Sequence, residues 1–437
     1  MDSDGVAEPT WPTAGPVSKV GPLTGIRVLE LGSFIAGPFA GQLLADYGAD
    51  VIKIEPVGSG DPMRRWGTTH NGQSLWWPAI ARNKKSVALD LRAPEARAVV
   101  RRLVANCDVV LENFRPGRLT EWQLGYDDLV TINPAVIMIH VSGFGQTGPR
   151  AAEAGFGSIG EAVGGVRFTT GAPEARPSRT GISLGDSLAA LFAVVGTLAA
   201  VVERNRSGRG QEVDVAIYEA VAALMESTMV DYERAGVLRT RTGSVLPGVA
   251  PSNVYPSADG VDVVVAANAD AVFKRLCVAM GAPELAGDPR FAAHGDRGKN
   301  ATELDELIEA WSRTLPTNEL LAVLAGHGVP AGKIYSAPDM LDDEHYSARE
   351  MVLRPRTDDG ENRPMTGIVP KFSRTPGAVT TVGPALGADT LSVLRELAGT
   401  TDEEWQALLA AGLVQSDTTP ASRETDSGPG VRADSVT

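Results

Sequence analysis

One carboxylate in this chain stands where it could act as well as cap: Asp186, in "RTGISLGDSLAALFAVVGTLAA", residues 179–200. An acid ahead of a long apolar run accepts a hydrogen bond from an unpaired helix N–H and sits against the positive end of the helix dipole. The same field favours the anion, and an ionised carboxylate is also a nucleophile. Gly185 beside it leaves room for a group to approach, and nearby amides would stabilise charge growing on an attacked carbonyl. The residues alone leave both roles open. A carboxylate fully engaged with helix amides attacks poorly, so chemistry here requires one free oxygen or a helix that begins elsewhere.

Three loops next to expected strands carry cations: "DPMRRWG", "ARNKKS" and "ENFRPGR". Arg64, Arg65, Arg82, Lys84, Lys85, Arg115 and Arg118 would together hold several phosphates by charge-assisted hydrogen bonds, the alternative being a solvated rim of ordinary ion pairs. The first turn after a strand reads "ELGSFIAGPFAG". It lacks the GxGxxG fingerprint, which argues against a dinucleotide oxidoreductase. Gly37 and Gly41 suit close packing on a sheet, while Ala36, Gly37 and Pro38 open a helix whose first amides can face an anion. The histidines, at 70, 140, 294, 327 and 345, are scattered, and Cys107 and Cys277 form neither a metal set nor a disulfide framework. No metal is expected.

These groups need a frame. "IRVLELGS" reads as a buried strand, "AGPFAGQLLADYG" as a helix and "ADVIKIEP" as a second strand; "KSVALDL", "PEARAVVRRLVANC", "DVVLENF" and "AVIMIHVSGFG" continue the alternation. Strand, crossover helix, strand predicts an α/β fold with a parallel sheet, and loops at the carboxyl ends of such strands are the default ligand sites. A long core helix is expected from Asp186 to about Arg204. The texture turns to Gly, Pro and Ser over 242–260, so the expected organisation is a flexible arm over 1–20, a large α/β domain over 21–245, a smaller α+β domain over 246–345, a return over 346–415 and a disordered tail over 416–437.

The formal net charge of −14 argues against broad affinity for nucleic acid or anionic membranes. The run Ser187–Val202 is shorter than a usual membrane span, and the opening residues lack the basic segment and apolar core of an export signal, so a cytoplasmic protein is expected.

The blocks "GPLTGIRVLELGSFIAGPFAGQLLADYGADVIKIEP", "RNKKSVALDL", "DVVLENFRPG", "HVSGFGQTGPRA", "RTGISLGDSLAALFAVVGTLAA", "RSGRGQEVDVAIYEA" and "TPGAVTTVGPALGADT" together resemble the family III CoA-transferases, the CaiB/BaiF type. That resemblance implies a Rossmann-like large domain, a smaller domain and an interlocked homodimer. It places the family's catalytic carboxylate on Asp186. The implied activity moves CoA from an acyl-CoA to a free carboxylic acid through mixed anhydrides and an aspartyl-CoA thioester, with the CoA ester as substrate and no permanently bound cofactor.

Carried over by position, the resemblance implies a CoA site made by Ala36, Gly37, Pro38, Arg82, Lys84, Asn113, Phe114 and Arg115. On the substrate side it points to Ile35, Phe156 and Glu161, where relatives carry Gln, an aromatic followed by an acid, and Gln. The block "GFGSIGEAVGGVRFTTG" resembles members that use small dicarboxylic acids, and Arg167 and Arg179, with Arg176 between them, suit a second carboxylate because an Arg fork binds it bidentately. An α-methylacyl-CoA racemase is the alternative within the family. Its proton-carrying His falls on Phe156, which exchanges no proton, and His140 lies within a strand pattern. A non-catalytic acyl-CoA binding protein would keep the phosphate loops without needing Asp186.

Overall fold

A computed structural model describes residues 21–416 apart from 71, 358 and 359. The chain divides into two compact units, one of residues up to 166, 181–226 and from 348, the other of 167–180 and 227–347. The expected arm over 1–20 and the tail beyond 416 lie outside the described residues.

The first unit follows the predicted alternation: β1 (Arg27–Glu30), α1 (Ala36–Asp46), β2 (Asp50–Glu55), β3 (Lys84–Leu89), α2 (Pro94–Val104), β4 (Val109–Glu112) and β5 (Ile137–Ser142). Then come α3 (Gly157–Val163), α4 (Leu184–Ser207), β6 (Glu212–Ala216) and α5 (Ile217–Ala222). Apolar side chains alternate between two cores. Leu29, Ile52, Val87, Val110 and Met138 pack with Val99, Val100 and Leu103 of α2, while Val28, Val51, Val109, Ile137 and Ile139 pack with Leu44 of α1 and Ala189, Ala190 and Ala193 of α4. This period of two with both faces covered is why the strands read as continuous apolar runs. α2 starts at Pro94, buries Ala96, Val99, Val100, Leu103 and Val104 as one stripe, and carries Arg101 and Arg102 in its last turn, each feature matching its helical place.

The expected core helix differs from its prediction. It starts at Leu184, two residues before Asp186, and ends at Ser207. Only a stripe of small residues is buried: Gly185, Ala189, Ala190, Ala193, Thr197 and Ala200. Leu191, Phe192, Val195, Leu198 and Val202 are exposed on the rest of the surface. By length and composition the helix meets the measure of a membrane span, and 33% of its most apolar window is buried. Composition shows that such a run is apolar; it does not show how much of it a neighbour covers.

In the second unit, β7 (Ser252–Pro256), β8 (Asp262–Ala266), α6 (Asp270–Ala279), α7 (Ala301–Ser312), α8 (Thr317–Gly326) and β9 (Ala331–Lys333) form a three-stranded antiparallel sheet, order β9-β8-β7, with its helices. Val263 and Val265 on one face of β8 join Tyr255, Phe273, Leu276, Leu304, Ile308 and Leu320 in its core. The boundary expected at 245/246 falls inside this unit. Arg241 donates to the carbonyls of Phe168 and Ala175, and the amide of Gly243 to that of Gly171, so the Gly- and Pro-rich stretch is tied to residues 167–180.

The chain returns to the first unit through α9 (Thr390–Ala398), α10 (Asp402–Ala410) and β10 (Val414–Gln415). The completed sheet has the order β10-β3-β2-β1-β4-β5-β6. All pairs are parallel except β10 with β3, where Val414 faces Leu89, so the sheet is mixed rather than wholly parallel. The short antiparallel strand covers an edge that would otherwise expose unpaired amides.

Candidate active site

Asp186 lies in the first turn of α4, half-buried, with Ser183 at the helix entrance making no side-chain cap. It is therefore inside the helix rather than at the capping position. Its carboxylate rests over the first residue of α3: a Cβ built on Gly157 would stand 2.2 Å from Oδ2 and 2.6 Å from Cγ. Any side chain at 157 would claim the carboxylate's place. The positive end of α4 stabilises the anion there.

Glu161, one turn along α3, is fully buried, and the amide of Gly185 donates to its Oε1 at 3.4 Å. A first-turn amide of α4 is thus directed to Glu161, which makes this residue a neighbour of the expected nucleophile rather than a surface group. Gly185 is required sterically, because a Cβ there would lie 2.8 Å from the carbonyl of Gly157 and 3.1 Å from Ile217. A Cβ on Gly160 would meet Ile217 at 2.4 Å, so glycines let α3, α4 and α5 approach around the carboxylate. Phe156 stands at the entrance of α3, 54% exposed.

The first βα turn is held from below by buried charge. Lys53 donates to Glu30 Oε1 and to the carbonyl of Gly32, both at 2.8 Å, and pairs with Asp61 at 2.7 Å. Lys84 donates to Glu30 Oε2 at 2.7 Å and to the carbonyl of Pro38 at 2.6 Å. Burial pushes the Glu30 carboxyl up, but the two lysines outweigh it and hold it below the usual range. Burial pushes the Lys84 ammonium down. Burial opposes the charge of Lys53 too, yet Asp61 and Glu30 keep it above the ordinary lysine value.

Asn113 closes the turn from β4, accepting from the amide of Ser33 and donating to its carbonyl, each at 2.8 Å. Phe34 occupies left-handed backbone (φ 64°), its amide donating to Asp61. A bulky residue holds that conformation only where its surroundings fix it. Ala36, Gly37 and Pro38 form the first turn of α1 and are buried, and Ile35 at its entrance packs with Met63, Trp77, Ile80 and Ala81.

Two of the expected phosphate ligands are engaged elsewhere. Arg82, 1% exposed, makes a two-pronged pair with Asp46 at 2.8 and 2.6 Å and donates to the carbonyl of Thr366. Lys84, 5% exposed, is held by Glu30. Their charges answer buried carboxylates, which would be very costly if left unpaired, so both side chains are committed to ion pairs of the framework. Arg64 forks onto Glu55 and Lys85 pairs with Asp50. Arg115 is exposed, while Phe114 stacks edge-on with Trp122. The structure brings Ser33 and Gly37 of the first βα turn together with Asn113, and the start of α4 at Gly185 together with Glu161. Arg167 and Arg179 belong to the second unit.

The residues missed from sequence are Gly157, Lys53, Asp61 and Glu112. "GFGSIG" does signal close packing by its glycine spacing. The lysine and acids have no local signal, since their partners come from other strands. A cavity of about 480 Å³ at the amino ends of β2 and β3, lined by Asp50, Asn83, Lys85 and Thr381, includes neither Asp186 nor its neighbours. Among the described residues no group of three or more His, Cys, Asp or Glu is arranged to hold a metal, and both cysteines are free and buried.

Comparison with known proteins places this arrangement. The profile of CoA-transferase family III matches residues 23–390. A succinyl-CoA–D-citramalate CoA-transferase from Chloroflexus aurantiacus is 54% identical over 90% of this chain and 98% of its own length. The succinyl-CoA–L-malate CoA-transferase alpha subunit of the same organism is 38% identical over 94% and 99%. A solved CaiB/BaiF family protein from Brucella suis superposes with a TM-score of 0.77 at 34% identity, over 86% of this chain and 99% of that one. On these matches, over the fold and the carboxylate just described, the chain belongs to the family III CoA-transferases.

Proposed function

We propose that this CoA-transferase carries CoA from a succinyl-CoA-like donor to a small dicarboxylic acid, with Asp186 as the covalent carrier. The observation that carries the reading is the placement of the Asp186 carboxylate over Gly157, with Glu161 accepting from the amide of Gly185. An Asp186 oxygen attacks the thioester carbonyl and expels CoA thiolate, leaving a mixed anhydride. The thiolate attacks the aspartyl carbonyl, giving aspartyl-CoA and releasing the donor acid. The acceptor carboxylate then attacks aspartyl-CoA to form a second anhydride and free the thiolate again. Attack of the thiolate on the acceptor's acyl carbon yields the new CoA ester and restores Asp186. One hard exchange becomes four easier steps, and the thioester's free energy is preserved as long as water is kept away.

Dicarboxylate use is supported by the substrates named for the Chloroflexus aurantiacus relatives and by Arg167 and Arg179, whose forks suit a second carboxylate. Ala36, Gly37, Pro38, Asn113, Phe114 and Arg115 are the residues we assign to CoA, with exposed Arg115 meeting its phosphates. We assign the protein to the cytoplasm, and the exposed apolar side of α4 supports a homodimer in which a second copy covers it. The test is a panel of acyl-CoAs and free acids, read as new CoA esters. Exchange into dicarboxylates, abolished by Asp186→Ala with CoA binding kept, is expected. Retained exchange in that variant, or release of α-protons into deuterated water without an acceptor acid, overturns the reading.

A further inference from the structure

The proposed mechanism does not use the ionic chain of His140 with Glu112 and Glu212. His140 projects from β5 with 7% exposure. In the sheet register Glu112 of β4 and Asp214 of β6 are its lateral partners. Its Nδ1 stands 2.5 Å from Glu112 Oε1 and its Nε2 3.1 Å from Glu212 Oε1. With both carboxylates ionised, and so only accepting, satisfying both contacts requires a proton on each ring nitrogen, which is the imidazolium. The other Glu112 oxygen, Oε2, accepts from the amide of Phe114 at 2.7 Å. Phe114 lies between Asn113, which grips the first βα turn through Ser33, and exposed Arg115.

We propose that Glu112 is a positioning residue for the CoA-binding loop 113–115, and that the His140 charge holds its carboxylate on the Phe114 amide. The proposal rests on the assignment of that loop to CoA.

A carboxylate 3% exposed needs an opposite charge to stay ionised, and His140 supplies it. Burial pushes the Glu112 carboxyl up against the pull of His140. Burial pushes the His140 imidazole down, but the Glu112 contact outweighs it and the net direction is upward from 6.5. The other groups facing this pair are Asp214, which adds negative charge near Glu112, and Glu212, which is flanked by Tyr126 with Arg209 nearby. A raised histidine contributes fully below its unfolded value and loses its contribution as pH rises through the folded one. The loop is therefore held below the ordinary histidine value and loosened as pH rises through the raised one.

The test uses the full chain. KM and kcat for succinyl-CoA are followed from neutral to alkaline pH, with calorimetric binding of free CoA and amide hydrogen exchange at Phe114, in wild type, Glu112→Ala, Glu112→Gln and His140→Gln. Glu112→Ala is expected to raise KM about tenfold and weaken CoA binding to match, with kcat within about twofold. Glu112→Gln, whose amide oxygen still accepts from Phe114, restores both. The wild-type KM climbs at alkaline pH and that climb is absent in His140→Gln. Unchanged KM and CoA affinity in folded Glu112→Ala, failure of Glu112→Gln to rescue, or an alkaline climb persisting in His140→Gln overturns the proposal. Exchange at Phe114 separates the two claims. Fast exchange in Glu112→Ala beside a wild type that binds no CoA means that the assignment of the loop to CoA has failed and the positioning has not. Slow exchange in that variant means that the positioning itself is absent.

Discussion

Around Glu30 the chain sets a lysine on each carboxylate oxygen, whereas around Asp186 it sets glycines. Lys53 and Lys84 take the two oxygens of Glu30 in the fully buried floor of the first βα turn. Asp186 is half-buried, with Gly157 beneath it and Gly185 beside it. The first arrangement fixes a carboxylate as part of the frame. The second clears bulk from the carboxylate that we propose substrate reaches. The same contrast separates the cations: Arg82 and Lys84 are enclosed by Asp46 and Glu30, and Arg115 is exposed.

The sharpest break of this contrast on the framework side is Lys84→Met. It leaves one Glu30 oxygen without its ammonium, at a cost of about 3–5 kcal/mol of folding stability. Urea denaturation is expected to show that loss while KM for the CoA ester, measured under folding conditions, barely changes. A stable variant with raised KM would return Lys84 to the phosphates. On the reactive side, Gly157→Ala puts a methyl group where the carboxylate lies. Exchange is expected to fall about 100-fold as Asp186 is displaced, with folding stability from urea denaturation lowered by only about 1–3 kcal/mol. Unchanged turnover would mean that the carboxylate reacts from another position.

The acid limb of stability carries the sign of Glu30. Its folded value is depressed, so its contribution is present above the ordinary value near 4.5 and is lost as pH falls through the folded one. Lys84→Met removes one of the two depressing charges, and its urea midpoint should begin to fall at a higher pH than that of wild type. The smallest effect belongs to Arg115→Ala, expected to raise KM for the CoA ester about five- to tenfold with no shift in melting.

These contrasts also explain what could be read before the fold was known. The strands and α1 were legible because a buried parallel sheet forces a hydrophobic run and a crossover helix between strands. Asp186 was legible as a residue, but its place within the first turn was not, because the helix starts two residues earlier and Glu161 from another helix accepts an N-terminal amide. The ion pairs of Lys84 and Arg82 were not legible for a physical reason. A lysine in a loop motif looks the same whether it faces a phosphate or an acid, and Glu30 lies 54 residues away in the chain. The exposed side of α4 was hidden likewise, since a small-residue stripe and a greasy stripe are both apolar in composition.

The covalent role of Asp186 is tested most directly by intact and peptide mass measurement after rapid acid quench of the enzyme with succinyl-CoA alone. The peptide containing Asp186 should gain CoA less water, and a dicarboxylic acid added before the quench should remove that adduct as its own CoA ester appears. Turnover with no adduct under those conditions, or an adduct carried by a different residue, would contradict the account.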